Sequence, residues 1–124
     1  MSPTVQFASS STADSLGSEL RAQGLELRTL DGGVVFDRSR LLTALGEALS
    51  FPDYYGANWD AAEECLRDLP EQHPRGLALL FDRAHEAWQR LPREMGMLVS
   101  LWLAAAEAAG TQGVALKLVF LLDG

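Results

Sequence analysis

Asp60 and Glu64 stand four residues apart, with Glu63 and Asp68 beside them, in the run Trp59-Asp-Ala-Ala-Glu-Glu-Cys-Leu-Arg-Asp-Leu69. On a helix, four residues is one turn, so these carboxylates project from the same side. Such a pair suits acid–base work on a glycosidic bond, or recognition of a cationic partner. The first needs one carboxyl kept protonated while the other stays ionised. Nothing on an open helix face separates them in that way. Cys65 is the only cysteine and falls on the inward side of the same helix, where a thiol is inert. His73 lies in a polar loop and His85 early in a short helix, neither with a partner at ligand spacing. No glycine-rich phosphate loop of the P-loop or dinucleotide type is present. Catalytic residues, a metal and a cofactor are therefore not expected, which leaves recognition.

Projected at about 3.6 residues per turn, Trp59, Ala62, Leu66 and Leu69 share one side of the helix, flanked by Ala61 and Cys65. Asp60, Glu63, Glu64 and Asp68 share the other, with Arg67 among them. Asn58 is a suitable N-cap, Gly56 lets the chain turn sharply ahead of it, and Pro52 limits any helix arriving from upstream. Asp60 in the first turn is favoured by the helix dipole. Glu63 and Glu64 lie beyond that influence, and the like charges at one-turn spacing repel by roughly 0.2–0.5 kcal/mol a pair. A solvated face on an acidic protein accounts for the pattern; so does a surface held negative for a basic partner. Tyr54 and Tyr55, aromatic residues at the margin of the charge, favour the second reading.

The chain of 124 residues with net charge −7 is sized for one compact domain. Its charge disfavours direct binding of nucleic acid, whose phosphates it would repel. A single cysteine fits a reducing compartment, so a cytoplasmic location is expected. The N-terminus lacks the basic start and apolar run of a secretory signal, and no stretch approaches the roughly 20 apolar residues of a membrane span.

Residues 1–11 read as a flexible, Ser/Thr-rich tail, and residues 12–24 as an N-terminal extension carrying a short helix that stops at Gly24. Leu25–Leu30 alternates as a strand. Asp31-Gly-Gly33 is a turn, and Val34–Phe36 a short extended return. Asp37 caps a helix over Arg38–Leu49. After the acidic helix, Pro70–Gly76 reads as a polar loop. Leu77–Phe81 is a strand apolar throughout, the mark of burial on both faces. Asp82 caps a short helix to Arg90, placing Trp88 inward; a longer helix runs from Pro92 to Ala109, and Val114–Leu122 is the last strand. Strands alternating with helices imply crossovers and hence a parallel sheet.

The stretch Phe51-Pro-Asp-Tyr-Tyr-Gly-Ala-Asn-Trp-Asp-Ala-Ala-Glu-Glu-Cys-Leu66 resembles the central signature of the barstar family of ribonuclease inhibitors. The pattern is an aromatic or Leu, Pro, an acid, Tyr, an aromatic, Gly, any residue, Asn, Trp or Leu, Asp and Ala, closing on acid, small residue and Leu. A looser likeness runs from about Leu25 to Asp123, so residues 25–124 are expected to form a barstar-like domain. The resemblance implies an α/β fold: a three-stranded parallel sheet, order 1-2-3, packed with helices in a single compact domain. It implies that Asp60 matches the first of two inhibitory aspartates, and that Glu64 replaces the second, keeping the charge with one more methylene. Tyr54 matches a tyrosine that stacks near the nuclease's catalytic histidine. Gly56 and Asn58 match turn and cap positions. Glu63 stands where the family has a contacting tryptophan, the Pro70–Gly76 loop where it has a Gly-Trp contact, and Ala105 where it has a further acid.

The expected partner-binding set is thus Tyr54, Tyr55, Gly56, Asn58, Trp59, Asp60, Glu63 and Glu64. The function implied is inhibition of a basic ribonuclease as an antitoxin or immunity protein, with no enzymatic activity, by a monomer in a 1:1 complex without nucleic acid or membrane. The alternative is a non-inhibitory binding module of the same fold, docking another basic protein or a toxin that is not a ribonuclease.

Overall fold

The structure, a computed structural model, describes residues 3–123. Strands β1 (Val5–Ser9), β2 (Glu26–Asp31), β3 (Leu77–Asp82) and β4 (Leu116–Leu122) form one parallel sheet in the order β1-β4-β3-β2. Helices α1 (Ala13–Ala22), α2 (Arg38–Ala48), α3 (Trp59–Gln72), α4 (Ala84–Arg90) and α5 (Pro92–Gly110) fill the connections. The three strands read from the pattern, β2, β3 and β4, are neighbours in the expected order. The fourth is an addition: within the stretch expected as a loose tail, Val5–Ser9 pairs with Leu118–Leu122 along the free edge of β4. Its sequence, Val-Gln-Phe-Ala-Ser, is too short and mixed to show period two. Its pairing depends on an edge 113 residues away, from Leu118 opposite Val5 to Leu122 opposite Ser9.

The strands bury both faces. Leu77, Leu79 and Phe81 of β3 and Leu116, Leu118 and Phe120 of β4 join the core under α2, α3, α4 and α5, where Trp102 is wholly buried. Ala78, Leu80, Val119 and Leu121 point the other way, against Leu20 and Leu16 of α1. The result is three layers. The extension formed by β1 and α1 covers a sheet face that would otherwise be wet. Each leucine so buried contributes about 1.5–3 kcal/mol.

Local departures have local causes. The acidic helix runs through Pro70 to Gln72 rather than stopping before the proline. Proline removes a single N–H, the one Leu66 would receive, and the helix ends two residues on, where His73 N–H donates to the Leu69 carbonyl at 2.8 Å. Burial of the Pro70 ring against the core favours the extra turn. Val34–Phe36 is not a strand: Gly32–Val34 is a 3-10 turn closed by Val35 N–H to the Gly32 carbonyl. The residue before α4 is Arg83 in the left-handed region (φ 47°), and the Asp82 side chain accepts from the Arg83 N–H instead of capping the helix. Trp88 is half-buried, packed edge-on to Phe120. Among the described residues no helix is long and apolar enough to cross a membrane.

Candidate protein-binding face

The start of α3 is held from three sides. The Asn58 side chain accepts from the Ala61 N–H at 2.8 Å, as a cap should. The sharp turn ahead of it is made by Ala57 (φ 49°), not by Gly56, which has an ordinary negative φ region. Ala57 is partly buried against the core, and that packing holds a non-glycine residue in a conformation it rarely adopts. The Trp59 indole N–H donates to Glu94 Oε2 at 2.9 Å, tying α3 to the first turn of α5.

Tyr54 and Tyr55 part company. Tyr54 is 77 % exposed, the most exposed of the large apolar side chains among the described residues. Tyr55 turns inward: its ring meets Phe51 edge-on and its hydroxyl donates to the Leu42 carbonyl at 2.8 Å. Burial, with a lesser contribution from Cys65, pushes that hydroxyl up to about 12. The ring leaves no room on α2, since a Cβ on Gly46 would lie 2.6 Å from it. Tyr55 therefore braces α2 against the loop that leads into α3.

Asp60, Glu63, Glu64 and Asp68 are all exposed. Glu63 pairs with Arg67 at 3.3 Å, one turn on, in the favourable acid-first order. Both side chains are open to water, so the pair adds at most about 0.5 kcal/mol. Among the described residues, Asp60, Glu64 and Asp68 make no ion pair and no side-chain hydrogen bond. Cys65 is buried beneath them, and burial first, then the nearby Asp68 and Glu64 charges, push its thiol above the usual range. A thiol held protonated is a poor nucleophile.

The structure thus brings Tyr54, Asp60 and Glu64 to the surface with free polar groups. It gives Asn58, Trp59 and Tyr55 internal bonds that aim the helix, and leaves Gly56 exposed in the loop. Ala105 is buried in the core and presents nothing outward. Glu94 is the residue that pattern reading misses. It lies 35 positions from Trp59, and no periodicity links them. The Glu63–Arg67 pair, by contrast, is legible as acid and arginine four apart.

The other titratable groups lie elsewhere. His73 Nδ1 contacts Glu26 Oε2 before β3, and His85 Nε2 lies 3.4 Å from Asp123 Oδ2 after it, so the two histidines sit at opposite ends of that strand. Among the described residues, no three of His, Cys, Asp and Glu converge as a metal would need.

A family model described as Barstar (barnase inhibitor) matches residues 25–121, which take in β2, β3, most of β4 and helices α2–α5. The match covers well over half of the chain, and the chain belongs to this family. The residues before it are those of β1 and α1, which is why the family expectation of three strands falls one short. No individual curated protein matches the chain.

Proposed function

We propose that this protein inhibits a basic ribonuclease by seating the exposed face of α3 in the enzyme's active site. The observation that carries the reading is the state of Asp60 and Glu64. They are exposed, one turn apart, and without internal partners among the described residues, on a helix whose start is braced by Asn58, Trp59 and Tyr55. A ribonuclease site gathers cations where phosphates bind and where charge develops. Carboxylates on a rigid helix offer those cations oxygens but no scissile bond, so the inhibitor occupies the site without being cut. Tyr54 supplies a flat apolar surface at the rim. The net charge of −7 steers a cationic enzyme toward the face, an effect that salt weakens. Such steering is familiar from the barnase–barstar pair.

In this reading the protein is an antitoxin or immunity protein acting in the cytoplasm as a monomer, one copy per enzyme, and is not itself an enzyme. The test is RNA cleavage by barnase and related ribonucleases with and without the protein, repeated with Asp60→Ala/Glu64→Ala. Inhibition by the wild type that is lost in the double variant supports the reading; equal inhibition by both removes the site. A second reading is a non-inhibitory module for another basic protein or a different toxin. It is favoured by Glu63, which stands in a salt bridge where the family has a contacting tryptophan. It predicts binding that depends on Asp60 and Glu64 with RNA cleavage unaffected.

A further inference from the structure

Arg67 is the one cation in α3, and it sits inside the acidic face rather than at its border. At about 100° per residue it projects within about 20° of Asp60 and about 60° of Glu64. Its side chain is 65 % exposed and, among the described residues, is bonded to Glu63 alone, at 3.3 Å. The face offered to a partner is therefore not uniformly negative. Among the described residues it has three unpaired carboxylates, on Asp60, Glu64 and Asp68, and next to them a guanidinium whose pairing leaves most of its donors turned to water.

This arrangement has a definite complement. A pocket lined only with Arg, Lys and His meets Asp60 and Glu64 favourably but forces one of its cations against Arg67. Like charges juxtaposed across an interface are a strong device for rejecting partners. A pocket with cations facing Asp60 and Glu64, and a carboxylate or carbonyl oxygen at its rim facing Arg67, satisfies all three groups. We propose that Arg67 is the specificity-determining residue of this face, selecting a basic partner with an acceptor at that rim position and rejecting uniformly cationic ones. The inference rests on the use of the α3 face proposed above.

Barnase is the probe, and its affinity for the wild type is compared with that for Arg67→Gln, Arg67→Glu and Arg21→Gln by surface binding at low and high salt. Arg21 lies on α1, across the sheet, and its substitution changes net charge equally without touching the face. Arg67→Gln is expected to tighten binding by about tenfold at low salt and Arg67→Glu by more, both gains shrinking in high salt, with Arg21→Gln unchanged. Because Arg67 is exposed and holds only a surface pair, the variants retain the fold, which circular dichroism checks. Affinity of Arg67→Gln that equals or falls below that of the wild type, or a gain matched by Arg21→Gln, overturns the inference. If in the same assay Asp60→Ala/Glu64→Ala abolishes binding while Arg67→Gln changes nothing, the inference fails and the use of the face stands.

Discussion

At the carboxyl ends of β2 and β3, Asp31 and Arg83 meet through two hydrogen bonds of 2.6 and 2.8 Å, and Glu86 and Arg90 pair beside them at 3.1 Å. Arg90 also donates to the Gly33 carbonyl and lies over the Phe36 ring. On α3, two to three turns of helix carry Asp60, Glu64 and Asp68 with no such closure among the described residues. Both regions are exposed and rich in charge. In the first, Asp31 and Glu86 each have a cation within the molecule, and the Arg83 guanidinium holds the Asp31 carboxyl below its ordinary value. In the second, like charges stand next to one another, at a small cost that an isolated domain has no reason to bear. Under the proposed function, the difference separates charge that serves the fold from charge kept for a partner.

The most severe challenge to this contrast is Asp60→Ala/Glu64→Ala. Ribonuclease inhibition should weaken by at least about 100-fold, while thermal stability holds or rises as repulsion is relieved. A drop in melting temperature with inhibition intact would reverse the assignment of the two regions. Next in size, Trp59→Phe removes the bond to Glu94 and leaves that carboxylate without its indole donor. Denaturant titration should show a loss of about 1–2 kcal/mol, and inhibition should suffer because the helix start is less firmly placed. Tyr55→Phe should cost about 1 kcal/mol through the Leu42 carbonyl. It also has a pH signature. The folded state holds the Tyr55 proton up to about 12 against an ordinary 10.0, so this contribution is whole below pH 10.0 and drains as pH rises toward about 12. Unfolding midpoints measured across that window should fall less steeply in the Phe variant.

The smallest effect belongs to the paired region. Asp31 is depressed in the folded state, so its contribution is present above its ordinary value of 3.8 and disappears as the pH falls below it. Asp31→Asn should lower the melting temperature slightly at neutral pH, flatten the acid side of the stability profile, and leave inhibition untouched. An Asp31→Asn protein that lost inhibition would show that the two regions are not independent.

The acidic helix was legible because its signals are local. Asn58 caps it, apolar residues recur at helical spacing, and acids fill the remaining side. The loop ahead of it is less legible. Glycine is the expected turning residue, but partial burial of Ala57 against the core puts the left-handed residue one position later. Pro70 marked a stop by its chemistry, and packing carried the helix past it. Tyr54 and Tyr55 are indistinguishable by type, and which one faces outward depends on the space opposite Gly46.

By itself the sequence determined the α/β class, the parallel sheet and the existence of one acidic helix face, since hydrophobic period and capping act over a few residues, while the order of β2, β3 and β4 was implied only by the family resemblance. Tertiary structure decided that Val5–Ser9 is a strand, that α1 closes the second face of the sheet, that Glu94 steadies Trp59, and which acids stay unpaired. Each of these depends on groups brought together from distant parts of the chain, and side-chain type and spacing carry no record of a neighbour that only folding supplies.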